Sequence, residues 1–432
     1  MSKSLSVNLI GISSFFAYLL PISLLTGPFL PDLFISIISL IFLLIVIIDG
    51  KKKYFQNNFF YFFIAFYLYI NLSSFFSKES YFAFQSTIFY FRFGIFALAL
   101  WHLIDEQSNF IEIFKKSLVS VFIIALIDSY VQLYFGHGIF GFTSSDSSRM
   151  TLLLDDESML GQYLARLMPL VAALIIYNSS ANIKNYIFIF VLLVLTDISI
   201  YISGERTAFA LLIIATLIII LFSKNFRAVR IASLSISLLI IIFITLFNPE
   251  IRERNIDHTI SQITQNADVE LQEGNENSFS KKFNLFSRSH ETLFFTAIRI
   301  FEDNLIIGSG PNTFRIFCES GKYKLNSYSC STHPHNSFIQ LLSETGFIGI
   351  FMYGFILIYF VRNIYLHVFR KKIMQDHEIC LFACILITLW PFFPTQNFFN
   401  NYINVIYYLP IGFYLHTIYS IQLKLNDELH RT

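Results

Sequence analysis

Long apolar runs separated by short polar segments repeat along the chain. A membrane-spanning helix needs about 20 apolar residues, because the hydrocarbon core of a bilayer is about 30 Å thick. Scanning with a window of that length predicts an all-α, polytopic membrane protein with about twelve spans. The predicted spans lie at approximately 6–26, 29–49, 57–76, 86–104, 113–135, 158–177, 186–202, 206–223, 230–247, 336–362, 378–394 and 401–420.

Composition agrees with this pattern. Of the 432 residues, 55% are hydrophobic and only 14% are charged. Such a chain cannot bury its apolar surface in a water-soluble core, so a bilayer must act as solvent for much of it. The net charge of +1 provides no basic surface for nucleic acid. The first apolar run lacks a small-residue cleavage site, so we interpret it as a retained helix rather than a signal peptide.

The distribution of Lys and Arg predicts the orientation. With the N-terminus in the cytoplasm, sixteen of these residues, Arg230 among them, fall in cytoplasmic segments. Only Lys78, Arg149 and Arg206 fall in the short loops of the opposite side. This is the direction of the positive-inside bias, which long loops do not follow.

One long polar segment, residues 248–335, divides the chain into three parts. Residues 1–247 carry the first nine predicted spans, and residues 336–432 carry the last three. The predicted orientation makes the long segment a large extracytoplasmic loop and returns the C-terminus to the cytoplasm.

Within this loop, the pattern predicts short helices joined by polar chain. Residues 248–266 begin with Asn-Pro and are typical of a capped helix, and residues 269–282 are typical of a flexible linker. The spacing of apolar positions in residues 287–303 predicts an amphipathic helix. We expect this helix to rest on the membrane surface and to act as a lid. The apolar positions of that helix are Leu293, Phe294, Ala297, Ile298 and Phe301.

Two cysteines of the loop, Cys318 and Cys330, are twelve positions apart. On the extracytoplasmic side we expect them to form a disulfide, and the alternative is two free thiols. Cys380 and Cys384 fall inside a predicted span, where cysteine acts as a small apolar residue.

The most informative polar stretch is His333-Pro334-His335-Asn336-Ser337, next to the tenth predicted span. Because proline favours a helix start, we expect His335 in the first turn of that span, at the outer boundary between water and bilayer. An imidazole there titrates near neutrality, as a general base must. An interfacial histidine or helix cap without a chemical role fits the spacing equally well.

Three arginines belong to the outer half of the predicted bundle. Arg206 lies in a short loop, whereas Arg92 and Arg166 lie about 10–12 Å inside apolar spans. A charge in the membrane is costly, so both are candidates for function, and guanidinium groups suit a diphosphate. The alternative for these two arginines is neutralisation by Asp128 and Asp197.

Other motifs narrow the class of protein. An acidic cluster, Asp155-Asp156-Glu157, precedes the sixth span, but it has no Asp-x-Asp pattern, so a solvated helix end is favoured over a metal site. The chain contains no Walker loop, Rossmann glycine pattern, zinc spacing or Gly-x-Ser-x-Gly elbow. An ATP-driven pump and a serine hydrolase are therefore excluded.

One pattern combines His335-Asn336, nine residues, Gly346, two residues and Gly349. It resembles the histidine signature of the O-antigen ligases and their polymerase relatives. The resemblance covers residues 285–352 and the surroundings of Ser203-Gly-Glu-Arg-Thr, and it includes the order of an arginine-bearing short loop, a long outer loop and His-Asn at a helix start.

The resemblance implies an inverting glycosyltransferase that needs no metal or other cofactor and uses an undecaprenyl-diphosphate-linked glycan as donor. It implies that His335 deprotonates the acceptor sugar hydroxyl and that Arg206 and Arg288 hold the diphosphate, in line with the charge that develops on the leaving group. His333 is a second imidazole, and the asparagine that follows His335 favours His335 as the base. The further candidates for substrate contact are Arg92, Arg166, Arg299, His333 and Asn336.

Several functions fit this resemblance. The enzyme would transfer the glycan to lipid A–core as a ligase, extend the lipid-linked glycan as a polymerase, or glycosylate protein side chains. Its place would be the bacterial inner membrane, among membrane lipids, with the active site facing the periplasm. From another class, a lipid-linked glycan transporter or flippase predicts inverted repeats and broken helices, and the sequence shows no internal repeat.

Overall fold

The computed structural model is all-helical over the residues that it describes, and it contains no strand there. It describes the backbone of residues 2–143, 149–151, 159–177, 183–257, 259–261, 286–371 and 373–429, and their side chains except at 2–4, 288 and 420–429. The predicted acidic cluster at 155–157 and the predicted linker at 269–282 lie outside the described residues.

The α-helices of the described ranges follow the apolar runs of the sequence. In chain order they are α1 (Ser2–Ser23), α2 (Phe29–Asp49), α3 (Asn58–Phe76), α4 (Ser80–Thr87), α5 (Phe91–Glu106), α6 (Phe110–Phe135), α7 (Leu160–Ile176), α8 (Ile183–Ile202), α9 (Arg206–Phe222), α10 (Phe226–Phe247), α11 (Pro249–Arg252), α12 (Arg288–Glu302), α13 (Phe314–Phe317), α14 (Ser337–Val368), α15 (Asp376–Thr388) and α16 (Asn401–Leu429). A short 3₁₀ turn joins α4 to α5, and a π-helical turn, Glu253–Asp257, follows α11.

Seven helices in the described part of the chain are long and apolar enough to cross a membrane. They are Leu5–Ser23, Phe29–Asp49, Asn58–Phe76, Ser80–Glu106, Ile183–Ile202, Phe226–Phe247 and Ser337–Val368. The helices α7 and α9 are apolar but shorter. A membrane protein is therefore supported, while the count of twelve spans, the large outer loop and the three-part division at residues 247 and 335 stay predictions.

Two helices form the interior of the bundle. α5 packs against α2 and α16, and α7 packs against α8, α9 and α15. Both are buried along nearly their whole length, as expected of helices that are apolar on all sides. The outer helices α2, α3 and α10 instead expose apolar side chains such as Ile47, Leu68 and Phe247. In a bilayer these side chains face lipid without a hydrophobic penalty.

A buried ion pair joins α8 to α10. The Asp197 carboxylate accepts hydrogen bonds from the two terminal nitrogens of Arg230, at 2.7 and 3.0 Å, and both side chains are buried. The prediction that Arg230 is a cytoplasmic loop charge is therefore wrong, because α10 begins at Phe226 and includes it. The suggested neutralisation of Arg166 by Asp197 is also wrong, because Asp197 is already paired.

Arg92 also has a partner that differs from the predicted one. Its guanidinium forms an ion pair with Asp32 on α2 at 2.8 Å. Asp128 accepts hydrogen bonds from the Gln132 side chain and the Ile139 backbone N–H, both at 2.6 Å. Neutralisation of Arg92 by Asp128 is therefore wrong: α5 packs against α2, which supplies the carboxylate.

Helix α14 is broken at Gly346, which has φ 64° and ψ −164°. The loop that follows α12 fills the break: the backbone N–H groups of Ser309 and Gly310 donate to the carbonyls of Ser343 and Glu344 at 3.0 and 2.9 Å. Only glycine adopts this φ/ψ combination readily. Hydroxyls of Tyr69 and Ser73 on α3, and of Ser77 directly after it, donate to carbonyls of the two segments.

The apolar face of α12 is turned towards protein. Leu293, Ala297 and Ile300 form a small core with Phe314, and α12 packs against α14. The prediction that this face rests on the membrane surface is therefore wrong, because α13, α14 and the loop between them cover it. The lid role of α12 stays a prediction.

Candidate active site

His335 lies just outside α14. The side-chain oxygen of Asn336 accepts a hydrogen bond from the Ile339 backbone N–H at 2.9 Å, so Asn336 is the N-cap and the helix begins at Ser337. The prediction that His335 belongs to the first turn is wrong for this reason. Its backbone has φ 54°, a left-handed conformation that is uncommon for a residue with a side chain.

Several hydrogen bonds hold this loop to the segment that follows α15. The Thr395 N–H donates to the His335 carbonyl at 2.8 Å, and the Ser337 N–H donates to the Thr395 hydroxyl at 2.6 Å. The Asn336 amide donates to the Pro391 carbonyl at 2.9 Å. Since both ends of the Asn336 side chain are engaged within the protein, the loop has a fixed path that offsets the unusual φ of His335.

The two histidines of this loop have different surroundings. His333 is buried, with Nδ1 3.0 Å from the Thr332 hydroxyl and Nε2 3.1 Å from the Thr395 carbonyl. His335 is half-buried, and its Nε2 lies 3.1 Å from the Ser331 hydroxyl. The ring centroids are 4.2 Å apart. His335 is therefore the more accessible imidazole of the pair.

Burial keeps both imidazoles neutral. It lowers the pKa of His335, and together with the repulsion that a protonated His335 would exert it lowers the pKa of His333 to about 3. A neutral imidazole can accept a proton, so His335 meets the requirement for a general base at neutral pH.

A third imidazole, which the sequence analysis did not single out, completes a histidine cluster. His290, on α12, has its ring centroid 5.5 Å from that of His335, and its Nδ1 lies 2.6 Å from the Ser287 hydroxyl. Burial lowers the pKa of His290 to about 4, and repulsion from a protonated His335 and from Arg206 and Arg149 adds to the shift. The sequence signal that could have identified His290 is its position two residues after Arg288.

A cluster of arginines lies within electrostatic range of His290. Arg206 begins α9, and the positive charges of Arg254 and Arg149 act on it. Its Nη1 also donates to the Thr259 hydroxyl at 3.0 Å. Three segments therefore contribute like charges to one region: the chain before α7, the start of α9 and the π-helical turn. In the sequence, Arg149 falls in a short predicted loop and Arg254 in the long polar segment, so neither was a candidate for function.

The turn before Arg206 is anchored by Glu205. Its carboxylate accepts hydrogen bonds from the backbone N–H groups of Gly161 and Gln162, at 2.6 and 3.3 Å, at the start of α7. Burial raises the pKa of Glu205 to about 8, although these hydrogen bonds and the charge of Arg149 oppose the shift. Glu205 thus connects the turn before Arg206 to the N-terminus of α7.

A buried carboxylate holds the loop before α13. Glu344 accepts hydrogen bonds from the backbone N–H groups of Asn312 and Phe314, at 2.8 and 2.9 Å. Arg315 donates to the Asn312 side chain at 3.1 Å, and its positive charge helps to lower the pKa of His333. The polar network between α13 and α14 therefore ends next to the histidine cluster.

The cysteines of the loop support the same region. Cys318, just after α13, and Cys330 form a disulfide with their Cα atoms 5.2 Å apart. Ser331, whose hydroxyl lies beside the His335 ring, directly follows Cys330. The disulfide therefore links the Glu344-held loop to the chain that carries the candidate base.

The remaining predicted candidates are dispersed. Arg166 is buried, with its guanidinium carbon 5.5 Å from the centroid of the Tyr407 ring, and its two terminal nitrogens have no hydrogen bond within the described part of the chain. Arg288 begins α12 close to His290 in the chain, and its side chain lies outside the described residues. Arg299 is exposed, about two and a half turns from His290 on the opposite face of α12. The structure therefore does not bring Arg92 or Arg299 to the histidine cluster.

Part of the chain is similar to a known protein family. Residues 164–354 match the family described as O-Antigen ligase, a range that includes Arg166, Arg206, α12 and His335. No curated protein matches the chain. Residues 164–354, somewhat less than half of the chain, are therefore similar to the O-antigen ligase family.

Proposed function

We propose that the chain is a membrane glycosyltransferase of the O-antigen ligase type, which transfers an undecaprenyl-diphosphate-linked glycan to an acceptor sugar. One observation carries the proposal: His290 lies against His335 and within electrostatic range of both Arg206 and Arg149. A neutral base and a cationic cluster therefore flank one small region. Glycosyl transfer from a diphosphate needs both, one for the entering hydroxyl and one for the leaving charge.

The donor diphosphate would bind to the arginine cluster. Arg206, Arg149 and Arg254 concentrate positive charge that phosphate oxygens can satisfy through paired N–H groups. By resemblance Arg288, at the start of α12, would join them. Buried Arg166 would add to the positive potential from inside the bundle. This grouping would stabilise the charge on undecaprenyl diphosphate as it leaves.

The acceptor would react at His335. As the acceptor hydroxyl oxygen bonds to the anomeric carbon, its proton moves to the His335 ring, and the bond from that carbon to the phosphate oxygen breaks with its electron pair. Attack opposite to the leaving group inverts the anomeric centre. His333 and Asn336 would position the loop through Thr395 and Pro391, and we assign no substrate contact to Arg92 or Arg299.

The acceptor we favour is lipid A–core, with the site facing the periplasm from the bacterial inner membrane and residues 248–335 forming the outer loop over it. A lipid-linked glycan as acceptor would make the same chemistry a polymerase, and a protein side chain would make it a protein glycosyltransferase. No cofactor or metal is part of the proposal.

A transporter of lipid-linked glycan is the second candidate, and the break at Gly346 favours it, because transporters place broken helices at their substrate site. Against it, the carbonyls of Ser343 and Glu344 accept backbone N–H groups of the protein's own loop. They are consequently not directed into a substrate pathway.

The test is reconstitution of the full chain in nanodiscs with an undecaprenyl-diphosphate oligosaccharide pool and candidate acceptors, without nucleotide or metal. We expect release of undecaprenyl diphosphate together with glycan transfer. Arg206→Ala should weaken donor binding and slow release by about a hundredfold, since one cation of the cluster is lost. The labelled product identifies the acceptor as lipid A–core, lipid-linked glycan or protein.

The same protein in sealed vesicles separates the two candidate functions. Movement of intact lipid-linked glycan across the bilayer, with no cleavage under any acceptor condition, would reject the transferase in favour of the transporter. Arg227→Ala is the matched control for Arg206→Ala. Arg227 is exposed in the first turn of α10, next to the end of α9 that is opposite to Arg206.

A further inference from the structure

His290 is close to the candidate base and within electrostatic range of the arginine cluster. Its ring centroid lies 5.5 Å from that of His335, and the charges of Arg206 and Arg149 also act on it. It comes from α12, whereas His335 precedes α14 and Arg206 begins α9. A group that is near a candidate base and within electrostatic range of a candidate diphosphate site would lie near the bond that breaks in the proposed transfer.

The hydrogen bonds of His290 allow its ring proton to lie on Nε2. Ser289 and Ser287 hydroxyls lie 3.0 Å apart, and the Ser287 hydroxyl lies 2.6 Å from Nδ1. With Ser289 donating to Ser287 and Ser287 donating to Nδ1, the ring carries its proton on Nε2. No hydrogen bond joins Nε2 to another described residue. This nitrogen is thus available to a ligand as a donor.

The neutral charge state of His290 is suited to a hydrogen-bond donor rather than to a general acid. Burial and the surrounding positive charges lower the pKa of His290 to about 4, so the ring is neutral at physiological pH. A neutral N–H donor adjacent to cations stabilises developing negative charge without itself repelling those cations.

We propose that His290 is a catalytic residue that donates a hydrogen bond from Nε2 to the phosphate oxygen leaving the anomeric carbon. This inference rests on the proposed glycosyl transfer. In the step, the carbon–oxygen bond to phosphate breaks with its electron pair on that oxygen, the bond from the acceptor oxygen to carbon forms, and the acceptor proton goes to His335. The His290 proton stays on its ring, so atoms and charges balance.

Three substitutions separate this role from packing. His290→Gln places an amide nitrogen close to the position of Nε2 and keeps a donor towards the substrate. His290→Asn keeps a partner for Ser287 but has no group that reaches as far. His290→Ala removes both, and Glu302→Ala, exposed near the end of the same helix, is the control.

We expect kcat for transfer from the undecaprenyl-diphosphate oligosaccharide to fall about a hundredfold in His290→Asn and His290→Ala, with KM for the donor nearly unchanged. His290→Gln should retain kcat within about tenfold of the wild type. Loss confined to the transition state distinguishes a catalytic donor from a residue that only binds the ground state.

The experiment distinguishes failure of this inference from failure of the proposed function. A wild-type protein that releases no undecaprenyl diphosphate overturns the proposed function and this inference with it. An active wild type with an equally active His290→Asn overturns the inference alone. Equal loss of kcat in the Gln, Asn and Ala variants, with lowered melting temperatures in all three, also overturns it in favour of packing.

Discussion

The Glu205 carboxylate accepts a hydrogen bond from the Gly161 backbone N–H at 2.6 Å, and this contact joins the turn before Arg206 to the start of α7. Gly161 has no side chain for a steric reason: a Cβ there would overlap the Ser203 hydroxyl and approach the Glu205 carboxylate to 3.0 Å. The close approach allows a buried carboxyl to set the position of Arg206 in the candidate diphosphate site.

Glu205 should make stability depend on pH. Burial raises its pKa to about 8 in the folded protein, whereas the ordinary value for Glu is 4.5. Between these values the folded chain holds a proton that the unfolded chain has released, so stability falls as pH rises. We expect the melting temperature in detergent to fall from about pH 5 to about pH 8 by more in wild type than in Glu205→Gln.

The control for this measurement is Glu302→Gln, an exposed carboxylate on α12. It should leave the wild-type pH dependence in place. If Glu205→Gln and wild type have parallel melting curves over this pH range, Glu205 does not hold a proton in the folded state.

The Asp197–Arg230 pair should stabilise the bundle mainly by preventing an isolated charge. Removing one partner leaves the other buried without a counter-ion, which costs about 3–5 kcal/mol, whereas replacing both by apolar residues costs much less. We therefore expect Asp197→Leu and Arg230→Met each to lower the melting temperature, and the double variant to recover most of the loss. Additive losses in the double variant would contradict this account.

The disulfide should support catalysis through the loop of the candidate base. Cys330 directly precedes Ser331, which contacts the His335 ring, and Cys318 follows the segment held by Glu344. Replacing both cysteines by serine should lower kcat about tenfold through loss of positioning, with little change in helix content. Reductant should have the same effect on wild type and none on the double variant, and an unaffected wild type would exclude this role.

Apolar patterning predicts the helices of this protein well, because burial in a bilayer and burial in the bundle both require the same residue types. For the same reason it does not predict which partner a charge takes. Asp197 could be placed near several arginines from the sequence, and only the packing of α8 against α10 brings Arg230 to it. Likewise, the apolar stripe of α12 is equally consistent with a membrane surface and with the cover that α14 provides.

The candidate site shows a similar division. The short motif around His335-Asn336 is visible in the chain, since the base and the helix cap are neighbours in sequence. His290, Arg149 and Arg254 are not, because they come from segments that meet only when α7, α9 and α12 are assembled. The position of His335 outside α14 depends on the N-cap hydrogen bond from the Ile339 N–H to Asn336 and on the contacts of the loop with Pro391 and Thr395, which apolar periodicity does not encode.

The central claim is that His335, rather than His333, is the base of a glycosyl transfer, and the direct measurement is kcat for undecaprenyl diphosphate release by purified variants. His335→Ala should lose at least about a hundredfold with donor affinity intact, and the wild-type rate should persist below pH 6.5 because burial lowers the pKa of His335. His333→Gln, which keeps a donor for the Thr395 carbonyl, should retain most activity. A fully active His335→Ala, or a loss confined to His333→Gln, would contradict the account.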